Sequence, residues 1–245
     1  MKKVGIIGAM ETEVKFLKKL ATEHTANAGA GVRQTEVAGL TFVEGEIGST
    51  QVVIVKSGIG KVNAALCAQR LIMQFGVTHV INTGIAGAAA HGLGVLDFVA
   101  STDAVYHDID ATGFGYKPTV IPQMACSVFP ADAALRQAAE SAFTDHVNET
   151  VFGGHKLIAG RVASGDQFIS DKVVKQHIID ICAPACLEME GAAIAHACYL
   201  NNTPFLIVRC MSDMADDSGE STYEFNETTA AEMSAKLVVG ILERL

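Results

Sequence analysis

Short apolar runs alternate with helix-patterned segments along the whole chain, and each run closes on glycine or on charge. Val4–Ile7 ends in Gly8, Val77–Thr83 in the small residues Gly84–Gly87, and Pro204–Val208 in Arg209, Cys210, Met211, Ser212 and Asp213. Runs without polar alternation suit strands covered on both faces. Gly94–Ala104, His155–Val162 and Ala185–Glu188 read as further strands. Between the runs, Met10–Leu20 sets Val14, Phe16, Leu17 and Leu20 at near-helical spacing, and Asn63–Phe75, Lys172–Cys182 and the alanine-rich stretch after Glu190 are also helical by pattern. Ala131–Phe143 joins them with Asp132 as its amino cap, and Thr229–Arg244 closes the chain as an amphipathic helix. Thr41–Gly45 and Gln51–Lys56, turning through Gly48-Ser49-Thr50, add a meander. The pattern predicts an α/β fold, three-layer α/β/α with a central mixed, twisted β-sheet. No linker or repeat interrupts it, so residues 1–245 are expected to form one domain.

Composition narrows the partners. A net charge of −9 with thin basic clusters argues against nucleic acid. No stretch reaches the roughly 18 uninterrupted apolar residues of a membrane helix. The opening MKKVGIIGAM has too short an apolar run for a leader and meets Glu11 and Glu13 at once, so a first strand is the better reading. The six cysteines include no CxxC pair, which suits buried free thiols in a reducing cytoplasm.

Several motifs carry chemistry. Glu13 falls in the first turn of a helix, where the dipole favours an anion. Glu188 and Glu190 flank Met189, and Arg209 and Asp213 follow a buried strand, where open α/β sheets place their ligand crevice. Ser57–Lys61 (SGIGK) opens a helix, but Val62 after the lysine departs from the phosphate-loop pattern GxxxxGK[ST]. His107, Asp108 and Asp110 form an HDxD loop that reads as a hydrogen-bonded turn in preference to a metal site. The aromatic, irregular stretch from Gly113 to Pro130 has the character of a functional or interface loop.

Seven motifs resemble, in the same order, those of the nucleoside phosphorylase superfamily, and within it the 5′-methylthioadenosine/S-adenosylhomocysteine nucleosidases. They are Gly5–Val14, Lys56–Ala65, Ile81–Gly87, Tyr106–Tyr116, Ser164–Ile169, Leu187–His196 and Val208–Asp213. The resemblance implies hydrolysis of the bond between adenine and ribose, with no cofactor and no metal. It implies Asp213 as the acid that protonates nitrogen 7 of the purine, Glu13 as the group that activates water, and Arg209 as its helper. Glu190 would hold the ribose hydroxyls over Met189, Phe168 would stack on adenine, and the Ile169 backbone would read its edge. Met10, Ile59, Tyr223 and a partner subunit's Phe114 would line the 5′ slot, implying a homodimer; Ile85, Ala86, Gly87, Glu188 and Ser212 complete the substrate-binding set. Glu188 has no assigned contact and reads as structural. Ile85 stands where many relatives have serine, Ala111 where they have a larger aliphatic residue, and Tyr223 where they have phenylalanine.

Other readings differ in substrate. A purine nucleoside phosphorylase would need arginine or lysine at its phosphate, whereas the first fifty residues hold only Arg33 as arginine and Glu13 would repel phosphate. A futalosine or aminodeoxyfutalosine nucleosidase shares the base-side chemistry, and Ala111 would suit its bulkier 5′ group. AMP is disfavoured by an apolar 5′ slot. A silent nucleoside-binding module would be expected to lose Glu13 or Asp213.

Overall fold

Ile6 and Ile7 point to opposite sides of the first strand, and the core divides accordingly. The computed structural model describes residues 2–27, 31–146, 152–216 and 219–245, with side chains from 226 onward in the last segment. Among the described residues the strands are β1 (Lys3–Gly8), β2 (Arg33–Val37), β3 (Leu40–Ile47), β4 (Thr50–Lys56), β5 (His79–Ala88), β6 (Phe98–Tyr106), β7 (Phe129–Pro130), β8 (Leu157–Ser164), β9 (Cys186–Glu188) and β10 (Phe205–Asp213). The helices are α1 (Glu11–Asn27), α2 (Lys61–Phe75), α3 (Ala133–His146), α4 (Lys172–Cys182), α5 (Gly191–Leu200) and α6 (Gly219–Leu242). Val4, Ile6, Val52, Ile54 and Ile81 pack with α1, α3 and α6, while Ile7, Val53, Val55 and Val80 pack with α2 and α5. A two-residue period thus separates two apolar faces, each needing its own helical cover, and the three layers follow.

The sheet is mixed. β1 lies between β4 and β5 with parallel pairing, and β2–β3–β4 form the antiparallel meander. At the other end, β10 pairs parallel with β5 and antiparallel with β6. Because β6–β8–β9–β5 are also paired in series, these five strands close into a ring, a feature absent from the sequence expectation. Closure removes edges from that half of the sheet. It also puts the carboxyl ends of β1, β5 and β10 and the short β9 around one mouth.

Some boundaries move. Gly94–Asp97 is a turn, not the start of a strand: the Asp97 carboxylate accepts the Gly94 N–H at 2.8 Å, and β6 begins only at Phe98. β5 and β10 run on through Ala88 and Asp213, so the small and charged residues expected beyond the strands lie within them. Asp132 caps α3 as expected, accepting the Leu135 N–H at 2.8 Å. All six cysteines are free, and burial pushes the Cys67 and Cys198 thiols up to about 12. No helix among the described residues is long and apolar enough to cross a membrane.

Candidate active site

A cavity of about 490 Å³ opens where β1, β5, β9 and β10 end. Its lining includes Met10, Glu13, Ile59, Ile85, Ala86, Gly87, Phe168, Glu188, Met189, Glu190, Ser212 and Asp213. Among the described residues four carboxylates line it, and no lysine or arginine does.

Glu13 comes from the first turn of α1, and its carboxylate turns back toward the end of β1. One oxygen accepts the N–H groups of Ala9 and Met10 at 2.6 and 2.9 Å; the other accepts that of Ile85 at 3.1 Å. Burial pushes its pKa up, opposed by Arg209 and by those three amides. The Ile85 contribution to the carboxylate is thus made by backbone, which any side chain at that position could provide.

Glu188 and Glu190 share a segment but have different duties. The helix-capping position of α5 belongs to Glu190, yet its side chain makes no cap. Glu188 takes that work: its carboxylate accepts the N–H of Glu190 at 3.1 Å and that of Gly191 at 2.8 Å, and Ser164 Oγ accepts the N–H of Ala192 at 2.7 Å. Ser164 also donates to Glu188, and Arg209 Nη2 closes the group with a short ion pair to the same carboxylate. Relieved of capping, Glu190 faces the cavity and accepts the Gly60 N–H at 2.8 Å. Burial and the neighbouring Glu188 push the pKa of Glu190 up, against Arg209 and the Gly60 N–H.

Arg209 is 1% exposed and lies behind the wall, outside the lining. Its Nη2 donates to Asn82 Oδ1 at 2.6 Å and lies 3.9 Å from Glu190, and Asn82 in turn donates to the Ile7 carbonyl at 2.9 Å. Gly84 lets Glu13 and Arg209 converge, because a Cβ there would overlap Glu13 Oε1 and Arg209 Nη1. Burial works against the guanidinium charge, and Glu188, Glu13 and Glu190 together outweigh it, so its pKa rises.

Asp213, the last residue of β10, also lines the cavity and the recess beside it. It accepts the Ser212 hydroxyl at 2.8 Å and the Ala215 N–H at 2.7 Å. Burial dominates and pushes its pKa up despite both bonds. Phe168, 47% exposed, lies across the opening, and Ile169 borders a smaller adjoining recess with Phe168 and Asp213.

A family model described as the phosphorylase superfamily matches residues 3–243. The 5′-methylthioadenosine/S-adenosylhomocysteine nucleosidase of Treponema pallidum is 41% identical, over 99% of this chain and 93% of its own. This chain belongs to that nucleosidase family. The family's solved structures agree with the fold. The nucleosidase of Colwellia psychrerythraea, in complex with adenine, superposes with a TM-score of 0.91 at 38% identity, over 100% of this chain and 96% of its own. That of Neisseria meningitidis, in complex with methylthio-immucillin-A, has a TM-score of 0.90 at 35% identity over the whole of both chains.

Of the residues expected at this nucleosidase site, the cavity brings together Met10, Glu13, Ile59, Ile85–Gly87, Phe168, Glu188–Glu190, Ser212 and Asp213. Arg209 lies behind them, and Phe114, 87% exposed, is not in this chain's own lining. The side chain of Tyr223 lies outside the described residues. Ala9 and Leu187 line the cavity unforeseen, as do the buried supports Ser164 and Asn82 beneath it. Ala9 could have been found as the first residue past β1; Asn82, inside an apolar strand run, was the polar exception that needed a partner.

Proposed function

We propose that this protein hydrolyses the N-glycosidic bond of 5′-methylthioadenosine and S-adenosylhomocysteine, and also of 5′-deoxyadenosine, releasing adenine and a 5′-substituted ribose. The reaction would serve methionine salvage and the disposal of adenosylmethionine by-products. The observation that carries hydrolysis over phosphorolysis is the lining itself, which among the described residues holds four carboxylates and no basic side chain. Such a wall repels phosphate and favours a neutral nucleophile and a positive sugar.

Adenine leaves poorly as an anion, so Asp213 delivers a proton to nitrogen 7 as the bond lengthens. Burial raises its pKa and so favours the protonated form, and a positioned acid of this kind contributes about 10²–10⁴ in rate. Glu13 binds and activates the water. Its three backbone donors fix the carboxylate while burial keeps it basic. Glu190 holds the ribose hydroxyls, and with Glu13 it stabilises the positive charge that grows on the sugar. Arg209 positions both carboxylates from behind. Phe168 stacks on the base, and Met189 lies beneath the sugar.

The reading takes residues 1–245 as one cytoplasmic domain that works as a homodimer. Exposed apolar side chains on α2 and its neighbours, Ile59 at 53%, Val62 at 70%, Leu66 at 56% and Phe114 at 87%, support a partner surface beside the cavity mouth. Phe114 of the partner subunit would close the 5′ slot.

Adenine release is the deciding measurement, with each candidate nucleoside incubated with and without phosphate. Phosphate-independent release from methylthioadenosine is expected, together with loss of turnover in Glu13→Gln. Phosphate-dependent turnover, or release from aminodeoxyfutalosine alone, would overturn the assignment. Dilution into a monomer that stays fully active would remove the dimer from it.

A further inference from the structure

The Lys61 side chain, which closes SGIGK at the start of α2, and the HDxD motif after β6 are given no role above, yet they meet beside the loop that carries Phe168. Lys61 Nζ lies 2.5 Å from Asp108 Oδ2 and 3.5 Å from Asp166 Oδ2. Asp108 Oδ2 also accepts the Asp166 N–H at 3.0 Å, and Asp166 Oδ1 accepts the Lys61 N–H at 2.9 Å. The His107 ring packs against Gly165 of the same loop, and the His107 N–H is bonded to the Ser164 carbonyl at 3.0 Å. Three separate loops are therefore joined by one lysine and two aspartates, each partly buried or backed by backbone donors.

What distinguishes this cluster from ordinary surface pairing is where its neighbours point. Successive N–H groups of one turn serve opposite sides of the cavity: Gly60 donates to Glu190 on the sugar side, and Lys61 donates to Asp166, two residues before the base-side Phe168. Gly60 has φ 97°, a conformation that favours glycine, and this turn aims both donors. Isolated exposed pairs contribute little, but a network with backbone members on both loops fixes geometry cooperatively. We propose that Lys61, Asp108 and Asp166 form a clasp that sets Glu190 and Phe168 at a fixed separation, so that Lys61 and Asp108 are positioning residues that never touch the substrate. The proposal rests on the nucleosidase reading of the cavity.

The test combines kinetics with hydrogen–deuterium exchange on the full chain. In Lys61→Met, amides of residues 164–169 should exchange faster, and kcat/KM for methylthioadenosine should fall about 10- to 100-fold, the cost of a roughly 1 Å misplacement. Lys61→Arg should recover most of that loss. Since the Lys61 side chain holds the loop that carries Phe168, the double variant Lys61→Met with Phe168→Ala should fall little below Phe168→Ala alone. Unchanged exchange at 164–169, wild-type kcat/KM in Lys61→Met, or losses that multiply in the double variant would each overturn the clasp. Should Lys61→Met fail to fold, Asp108→Asn is read by the same criteria. If the wild-type protein released no adenine from any nucleoside, the proposed function would fall, while the exchange comparison would still decide whether the clasp exists.

Discussion

The two sides of the cavity are built differently. On the sugar side, Glu13, Glu188, Glu190 and Arg209 are 8% exposed or less, and their carboxylates are held by backbone amides from β1, β5, the turn before α2 and the start of α5. On the proposed base side, Asp213 is anchored among the described residues by its neighbours Ser212 and Ala215, and Phe168 stands on a connecting loop with nearly half its surface exposed. The first arrangement is preorganised, so it can oppose charge without reorganising as that charge appears. The second can yield, as a site must that admits a flat base and later lets it go. One enzyme thus keeps its electrostatics on strands and helix starts, and its gate on a loop.

If this contrast is right, substitutions should sort by side. The largest effect on chemistry from the base side is expected from Asp213→Asn, which keeps shape and should lower kcat by about 10²–10⁴ with little change in melting temperature. The pH profile makes the same point with a definite sign. As the proposed acid, Asp213 must carry its proton, and burial raises its pKa; activity should therefore be present below that pKa and lost as pH rises through it. That alkaline limb should be missing from whatever activity Asp213→Asn retains. Next comes Arg209→Met, in which the effect should be on stability: removing the guanidinium strands Glu188 in the interior at a cost of about 3–5 kcal/mol, measurable by denaturant titration. A variant that melted like the parent would show that the sugar side is less rigid than the hydrogen bonds indicate.

Gly84→Ala should follow. The added methyl overlaps both Glu13 and Arg209, so strain of about 1–3 kcal/mol should accompany a fall in kcat. The smallest effect belongs to Phe168→Ala. Losing one base stack is worth about 1–3 kcal/mol, and it should appear in KM and in adenine affinity while melting temperature is unchanged. A large loss of stability there would erase the contrast between the two sides.

The sequence made the layered fold legible, because short apolar runs such as Pro204–Val208, set between helix-patterned segments, suit strands covered on both faces. Ring closure was not legible. It depends on β10 pairing with both β5 and β6, and long-range pairing leaves no local pattern. At the site, residue identities were readable from motif order, including Glu13, which the chain supplies from the far end. The division of labour between Glu188 and Glu190 was only half readable. Both are glutamates one residue apart from Met189, and which one caps α5 is decided by Ser164 and Arg209, from distant strands. Arg209 was placed beside the water by resemblance, and its position behind the wall became visible only with Asn82 and Gly84 around it. Asp132 was fully legible, since a helix cap needs nothing beyond its own neighbours.

The cluster beneath the sugar has one further consequence. Glu13, Glu188 and Glu190 surround a single guanidinium, so with all groups ionised the floor is short of positive charge. Burial pushes the pKa values of Glu13 and Glu190 up, which favours retaining a proton in an empty site, and a neutral nucleoside does little to relieve the shortage. A ligand with a permanent cation in the ribose position would supply the missing counter-ion before any bond is broken. Affinity should then track ligand charge more closely than ligand size: protonated amine analogues of the sugar would displace the retained proton on binding, and the proton released into buffer would report their capture directly.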